Sequence, residues 1–266
     1  MLRKAPQGLA RIRAALLLLM LATAASAQER ALPLASLRSG IEFAGRDVRA
    51  LQDDAATNPA QLWLEQGRAL WDAPAGASAR SCRSCYDDVA TLRGAAVAHP
   101  RPDAASGRLF NLEDRIRQCR GEQQRAPVPD FESDELLALT LWVTQASVDL
   151  PLRTPIDAAL QPHWQAGADL FNRRQGQLNL SCANCHDHNW GRRLYTDTLS
   201  QGHPNGYPLY RLEWQKPGSL ARRLRSCQAG VRAEMSDWGD ASLRQLSLYL
   251  MWRAEGLPVE VPAVRK

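Results

Sequence analysis

The sequence has little lysine, no excess of positive charge beyond its first residues, and no apolar run of membrane-spanning length. Of its 33 lysines and arginines, four precede residue 27, where no acidic residue occurs, and the others nearly balance the 28 aspartates and glutamates. A chain with this balance lacks the basic surface that nucleic-acid binding requires. Lysine occurs only at Lys4, Lys216 and Lys266. Arginine therefore supplies most of the cations, and local arginine patches can still bind small anions.

Residues 1–27 have the pattern of a secretory signal peptide. Basic residues come first, the apolar run 14–22 follows, and the small residues 25–27 form a cleavage site. The uncharged stretch 14–28 is too short to span a bilayer comfortably, so we expect no membrane anchor. We therefore expect a mature protein in the periplasm.

The cysteines recur in the same order in the two halves of the chain. They are Cys82, Cys85, Cys119, Cys182, Cys185 and Cys227. Each half has a C-x-x-C pair followed by one further cysteine. Similar residues precede the two pairs, in 64–71 and 164–171, at an offset of 100 positions. This pattern predicts a tandem duplication.

Apolar residues recur at helical spacing in both halves, which predicts a mainly α fold with long loops. Each half ends in an apolar, amphipathic stretch, and we expect helices over 135–145 and 242–253. Ser133 and Asp240 stand where N-cap residues belong. The segments between the helices are rich in Gly, Pro, Asn and Asp and cannot pack a core unaided.

Cys182, Cys185 and His186 form a C-x-x-C-H motif, which is typical of covalent haem c attachment. Two thiols at this spacing bond the porphyrin, and the histidine that follows ligates the iron. A redox-active pair or half of a zinc site needs neither the adjacent histidine nor the duplicated frame. We therefore predict one covalent haem c, which would also fill the centre of a loop-rich helical domain.

The two halves are then two cytochrome c-like domains. Pro151 and Pro155 interrupt any helix between them, so we predict a linker near 147–155. The expected N-terminal domain covers residues 28–150, and the haem-binding C-terminal domain covers residues 151–266.

The first C-x-x-C lacks the histidine, because Tyr86 follows Cys85. Tyrosine can ligate iron, but we predict that this half has no haem and that its cysteines are structural. Cys119 would then pair with Cys82 or Cys85, or those two would pair with each other. The sequence alone leaves this choice open.

Cys227 is the candidate for the second axial ligand. Methionines and histidines follow His186 at Met235, Met251, His188 and His203, but the duplication places a lone cysteine in both halves. A thiolate near iron would give His/Cys ligation, whereas a buried free cysteine would be a small hydrophobe. Nearby positive charge favours the thiolate. The nearby arginines are Arg222, Arg223 and Arg225.

These residues resemble the SoxA family, the larger subunits of the SoxAX cytochromes of bacterial thiosulfate oxidation. The resemblance runs from about residue 62 to 256. Its motifs are Cys82-x-x-Cys85, residues 111–120, Cys182-x-x-Cys185-His186, residues 203–211 and residues 223–227.

The resemblance implies two cytochrome c-like domains, a C-terminal haem with His186 and Cys227 as axial ligands, and a catalytic Cys227 that can carry a persulfide. It implies that Arg223 binds the substrate. The activity it implies is L-cysteine S-thiosulfotransferase, the oxidative conjugation of thiosulfate to a cysteine of the SoxYZ carrier. The implied partners are a SoxX-like small cytochrome c and an acceptor cytochrome c. Tyr86 matches the single-haem type, for which a disulfide through Cys119 is the natural replacement.

Two other functions compete with this interpretation. A non-catalytic electron-transfer cytochrome would use Cys227 only as a ligand. A dihaem peroxidase would need two intact C-x-x-C-H motifs, and Tyr86 removes one. Neither explains an arginine cluster beside Cys227.

Overall fold

A computed structural model describes residues 32–266 of the chain. These residues are mainly helical. The predicted signal peptide of residues 1–27 lies outside the described residues. No helix in the described part is long and apolar enough to cross a membrane. The α-helices are α1 (Arg46–Asp53), α2 (Gln61–Asp72), α3 (Arg83–Tyr86), α4 (Leu112–Glu122), α5 (Asp134–Gln145), α6 (Gln161–Asn172), α7 (Cys182–His186), α8 (Leu220–Gly230) and α9 (Ala241–Arg253). Short 3₁₀ helices cover Leu34–Ser36, Gly40–Phe43 and Val89–Leu92.

Short strands connect the helices. They are β1 (Arg101–Pro102), β2 (Leu109–Phe110), β3 (Arg193–Leu194), β4 (Asp197–Thr198), β5 (Leu209–Arg211), β6 (Lys216–Gly218) and β7 (Val264–Arg265). Strands β1 and β2 form one antiparallel hairpin, and β3 and β4 form another. Strand β5 lies between antiparallel β6 and parallel β7. The last described strand therefore pairs with β5, the first strand of the β5–β6 hairpin that precedes α8.

The helices follow one another in two similar series, α2 to α5 and α6 to α9. Helix α2 packs against α5, and α6 packs against α9. Each crossing is close because a glycine faces the partner backbone. A Cβ added at Gly67 would lie 2.2 Å from the Ala138 carbonyl oxygen, and one at Gly167 would lie 2.2 Å from that of Gln245. Any larger residue would force these helices apart.

The helices predicted to close each half are confirmed. Helices α5 and α9 begin one residue earlier than predicted and end where expected. The side chain of Ser133 accepts a hydrogen bond from the amide of Leu136, and Asp240 accepts one from Ser242 at 2.7 Å. These caps satisfy amides that have no partner within the helix. Capping is local, which is why the sequence could predict it.

The predicted linker is packed into the core. Leu152 is 2% exposed and joins an apolar cluster with Leu64, Leu141, Met251 and Val259, which come from both halves. Residues 32–266 accordingly form one compact unit. The division into domains 28–150 and 151–266 stays a prediction.

A buried ion pair joins α4 to α9. The guanidinium of Arg244 donates to both carboxylate oxygens of Asp114, one of them at 2.6 Å from Nε, and both side chains are at most 10% exposed. Asp114 also accepts a hydrogen bond from the Asn111 amide, the N-cap of α4. Removing one partner would leave a buried charge without compensation.

Candidate functional site

The predicted haem residues lie on the short helix α7. Ser181 caps this helix in a capping box with Asn184, so the motif begins at a fixed orientation. Nδ1 of His186 lies 2.7 Å from the carbonyl oxygen of Ser200. A carbonyl can only accept, so Nδ1 donates this hydrogen bond, and Nε2 is the nitrogen left for the hydrogen bond to Cys227 or for a bound iron.

The surroundings of His186 fit a haem c. Gly202 has φ +74°, and a Cβ there would lie 2.9 Å from Cγ of His186. Only glycine lets this loop lie flat against the imidazole. Burial is the main cause that raises the pKa values of the Cys182 and Cys185 thiols, and the charge of Cys227 is the second. The three cysteines therefore lie near one another. Two attachment thiols, an oriented imidazole and a facing thiol are the donors that a haem c requires.

Cys227 lies on α8 and faces His186. Burial opposes ionisation of its thiol, yet its pKa is lowered to about 7. The guanidinium of Arg223, a hydrogen bond from His186 and the charge of Arg211 together outweigh burial. Much of Cys227 is therefore thiolate at neutral pH.

Only one of the three predicted arginines acts on Cys227. Arg223 precedes it by four residues and so lies on the same face of α8. Arg222 instead stacks on the ring of Trp214 at 4.2 Å. Arg225 lies 4.3 Å from the ring of Trp238 and donates to the Ser236 carbonyl oxygen. Arg222 and Arg225 are five and two positions before Cys227, so their side chains leave α8 on other sides than Arg223 does.

Two residues that the sequence analysis did not single out belong to this site. The pKa of Tyr207 is raised by burial, while Arg223 and Arg211 oppose the rise and the charge of Cys227 adds to it. Arg211, on β5, is 9% exposed. Both fall in the motif 203–211, which was noted only for its family resemblance. They reach α8 through the β5–β6 hairpin, a tertiary arrangement that the sequence does not reveal.

His203 was given no role and is buried next to His186. Its Nε2 lies 3.1 Å from Oε1 of Gln201. Burial, Arg253 and His186 lower its pKa to about 3. It therefore stays neutral and packs in the wall of the site.

The first half contains a corresponding cluster of thiols. Cys82, Cys85 and Cys119 are near enough to influence one another and are free thiols here, so their predicted pairing stays a prediction. Tyr86 stands where His186 stands in the second half and has a hydrogen bond with Cys119. Burial and Cys119 raise the pKa of Tyr86 to about 12. The phenol of Tyr86 therefore donates to Cys119 and stays protonated at neutral pH.

The arginine of this first cluster is neutralised. Arg115 precedes Cys119 by four residues, as Arg223 precedes Cys227. Its Nη1 instead donates to Asp103 Oδ1 at 3.0 Å and to Gln118 Oε1 at 2.6 Å. The pKa of Cys119 is raised, chiefly by burial.

Comparison with known proteins supports a cytochrome. A family model described as the SoxA/TsdA cytochrome c domain matches residues 66–152. The L-cysteine S-thiosulfotransferase subunit SoxA of Pseudaminobacter salicylatoxidans is 37% identical over 230 residues, which cover 86% of this chain and 80% of that protein. The subunit of the same name from Rhodovulum sulfidophilum is 32% identical over the same shares.

A solved structure agrees with these relatives. The crystal structure of SoxXA from P. pantotrophus matches with a TM-score of 0.84 and 32% identity, over 86% of this chain and 87% of that one. The cytochrome c domain implies haem c as cofactor. Because the similarity extends along most of both chains in sequence and in structure, this chain belongs to the SoxA family.

Proposed function

We propose that this protein is an L-cysteine S-thiosulfotransferase subunit, which oxidatively conjugates thiosulfate to a cysteine thiol of a SoxYZ-like carrier protein. The observation that carries the proposal is the thiolate-favouring environment of Cys227, which faces His186 and has Arg223 one helical turn away. A cysteine that served only as a ligand would not need a dedicated arginine. The relatives' shared name supports the same activity.

The residues of the site suggest the order of events. Arg223 binds the sulfo group of thiosulfate by charge-assisted hydrogen bonds. The Cys227 thiolate and the terminal sulfur of thiosulfate form an S–S bond, and two electrons are released. The deprotonated carrier thiol then attacks that terminal sulfur, so the carrier becomes an S-thiosulfonate and the Cys227 thiolate is regenerated. Cys227 can also rest as a persulfide.

One haem c fits this site. Cys182 and Cys185 would hold the porphyrin, and His186 and Cys227 would ligate its iron. When bound, the haem supplies a one-electron route from the site to an acceptor c-type cytochrome.

The first half would then have no haem. The tyrosine at position 86, where the second half has His186, supports this. A disulfide of Cys119 with Cys82 or Cys85 would take the place of the cofactor. We ascribe the repeated helix order to a tandem duplication of two cytochrome c-like domains, 28–150 and 151–266. The family match over 66–152 falls in the half that lacks the histidine, which supports a common origin.

We further propose that the protein is exported to the periplasm by cleavage after residue 27. It would work there as a heterodimer with a SoxX-like small cytochrome c, a proposal supported by the match to the SoxXA structure.

Replacing Cys227 tests the activity. Cys227→Ala should abolish thiosulfate-dependent modification of the carrier while the haem remains attached through Cys182 and Cys185. The measurement is the mass of the carrier after incubation with thiosulfate, an acceptor cytochrome and the complex. Cys119→Ala, the matched cysteine of the first half, should stay active. Full activity of Cys227→Ala would exclude the proposed role.

The alternative is a non-catalytic electron-transfer cytochrome. It predicts that a partner cytochrome exchanges electrons with the wild type, whereas thiosulfate modifies no carrier. The same carrier mass measurement separates the two functions.

A further inference from the structure

Arg211 is a buried arginine whose hydrogen-bonding capacity is only partly used. The residue is 9% exposed, and its Nε is buried and has no hydrogen-bond partner. Its Nη2 donates to Glu213 Oε2 at 3.0 Å, and the guanidinium lies 5.1 Å from the centre of the Trp214 ring. A buried guanidinium N–H that has no acceptor costs free energy, unless a ligand supplies the acceptor.

The position of Arg211 is rigid and close to the reacting thiol. Strand β5 is the middle strand of its sheet, and Arg211 pairs with Lys216 on one side and Arg265 on the other. The β5–β6 hairpin leads directly into Ser219, the N-cap of the helix that carries Cys227. The ring of Trp214 is within cation–π distance of both Arg211 and Arg222.

The partner of Arg211 is an exposed carboxylate. The Glu213 side chain is 66% exposed, and its charge also acts on Arg223. Solvent around the exposed carboxylate screens this ion pair. A dianion that enters the site can therefore replace Glu213 at little cost.

The first half has the opposite charge at the corresponding position. Counting from the N-caps Asn111 and Ser219, Asp103 in the first hairpin corresponds to Arg211 in the second. Asp103 neutralises Arg115. In the second half this position instead adds a cation beside Arg223, which is the charge that an anion site needs.

We propose that Arg211 is a second substrate-binding arginine, which with Arg223 grips the sulfo group of thiosulfate, and that Glu213 holds its guanidinium until substrate displaces the carboxylate. The pair of arginines selects tetrahedral dianionic sulfur oxyanions. This inference rests on the proposed function and deepens it.

The test is thiosulfate binding by calorimetry to the haem-loaded heterodimer without carrier, where no transfer occurs. Arg211→Gln should weaken binding about tenfold or more, the usual effect of losing a charge-assisted hydrogen bond. Arg211→Lys keeps the charge but loses the fork and should fall between Arg211→Gln and the wild type. Arg222→Gln removes the other arginine that contacts the ring of Trp214 and should bind as the wild type does.

Glu213→Gln gives the decisive sign. It should bind thiosulfate a few-fold more tightly, because the competing carboxylate is gone. Because Glu213 also acts on Arg223, the gain supports the role of Arg211 only if it disappears when Arg211→Gln is combined with Glu213→Gln. A gain that persists in the double variant would overturn that role. In turnover with carrier, Arg211→Gln should raise KM with little change in kcat, since the group binds ground state and transition state alike.

The failures are distinguishable. Unchanged thiosulfate affinity and KM in Arg211→Gln, with an active wild type, would overturn the role of Arg211 alone. Equal weakening by Arg222→Gln would also overturn it, because the effect would then reflect general surface charge. A wild type that binds thiosulfate through Arg211 but never modifies the carrier would leave this inference intact and remove the proposed function.

Discussion

The two halves of the molecule set the same kinds of residue in the same order and give them opposite chemistry. Each has a thiol on the helix that follows a hairpin, with an arginine four residues before it. In the first half Asp103 binds that arginine, and burial raises the pKa of Cys119. In the second half Arg223 is free to act on Cys227, whose pKa is lowered to about 7 despite burial.

The comparison teaches that a cysteine and an arginine at helical spacing do not by themselves make an active thiolate. The residue on the preceding hairpin contributes to this difference. Asp103 forms an ion pair with the arginine of the first half, whereas Arg211 adds a second cation in the second half. Three experiments test this difference between the halves, in order of decreasing effect.

The largest expected difference is in haem content. Cys185→Ser should leave no haem with two covalent bonds, whereas Cys85→Ser should leave haem content unchanged, because Tyr86 does not provide the imidazole that iron requires. Haem per chain is measured by absorbance and intact mass in a periplasmic preparation. A loss of haem in Cys85→Ser would mean that the first half attaches porphyrin.

The next difference is in catalysis. Arg223→Lys should lower kcat/KM for thiosulfate about 10- to 100-fold, because a lysine keeps the charge but loses the bidentate geometry. Arg115→Lys, at the matching position of the first half, should keep full activity. Equal losses in the two variants, measured as initial rates, would contradict the assignment of the site to the second half.

The smallest difference is in stability. Burial raises the pKa of Glu113 to about 7 from 4.5, while Ala221 occupies the matching position in α8. Between these pKa values the folded state binds more protons than the unfolded state, so stability falls as pH rises. The expected loss is at most about 3 kcal/mol.

Denaturant unfolding between pH 4.5 and 8 measures this effect. Glu113→Gln should remove most of the slope. Glu122→Gln, an exposed position at the other end of α4, should retain it. A wild type whose stability does not fall over this range would show that Glu113 is ionised in the folded state.

The sequence predicted those features that depend on local rules. The helix boundaries near 135–145 and 242–253 follow from apolar spacing and N-cap residues. The C-x-x-C-H motif puts Cys182, Cys185 and His186 on one short helix. Helical geometry alone also places Arg223, rather than Arg222 or Arg225, beside Cys227.

Other features required the tertiary structure. Arg211 and Asp103 become comparable only after each hairpin folds onto its helix. The packing of Leu152 between the halves depends on contacts with residues about 100 positions away. No propensity or motif specifies such contacts, because they arise from burial of apolar surface contributed by distant segments.

The parallel pairing of β7 with β5 has a consequence for local opening. The amide of Tyr210 donates to the carbonyl oxygen of Ala263, and that of Leu212 donates to Arg265, both at 2.9 Å. These amides exchange with solvent only when residues 263–265 detach. The strand that carries Arg211 is thus held in place by a segment about 50 positions further along the chain. If Arg211 binds substrate as proposed, a proteolytic cut that releases residues 263–265 is expected to lower substrate affinity.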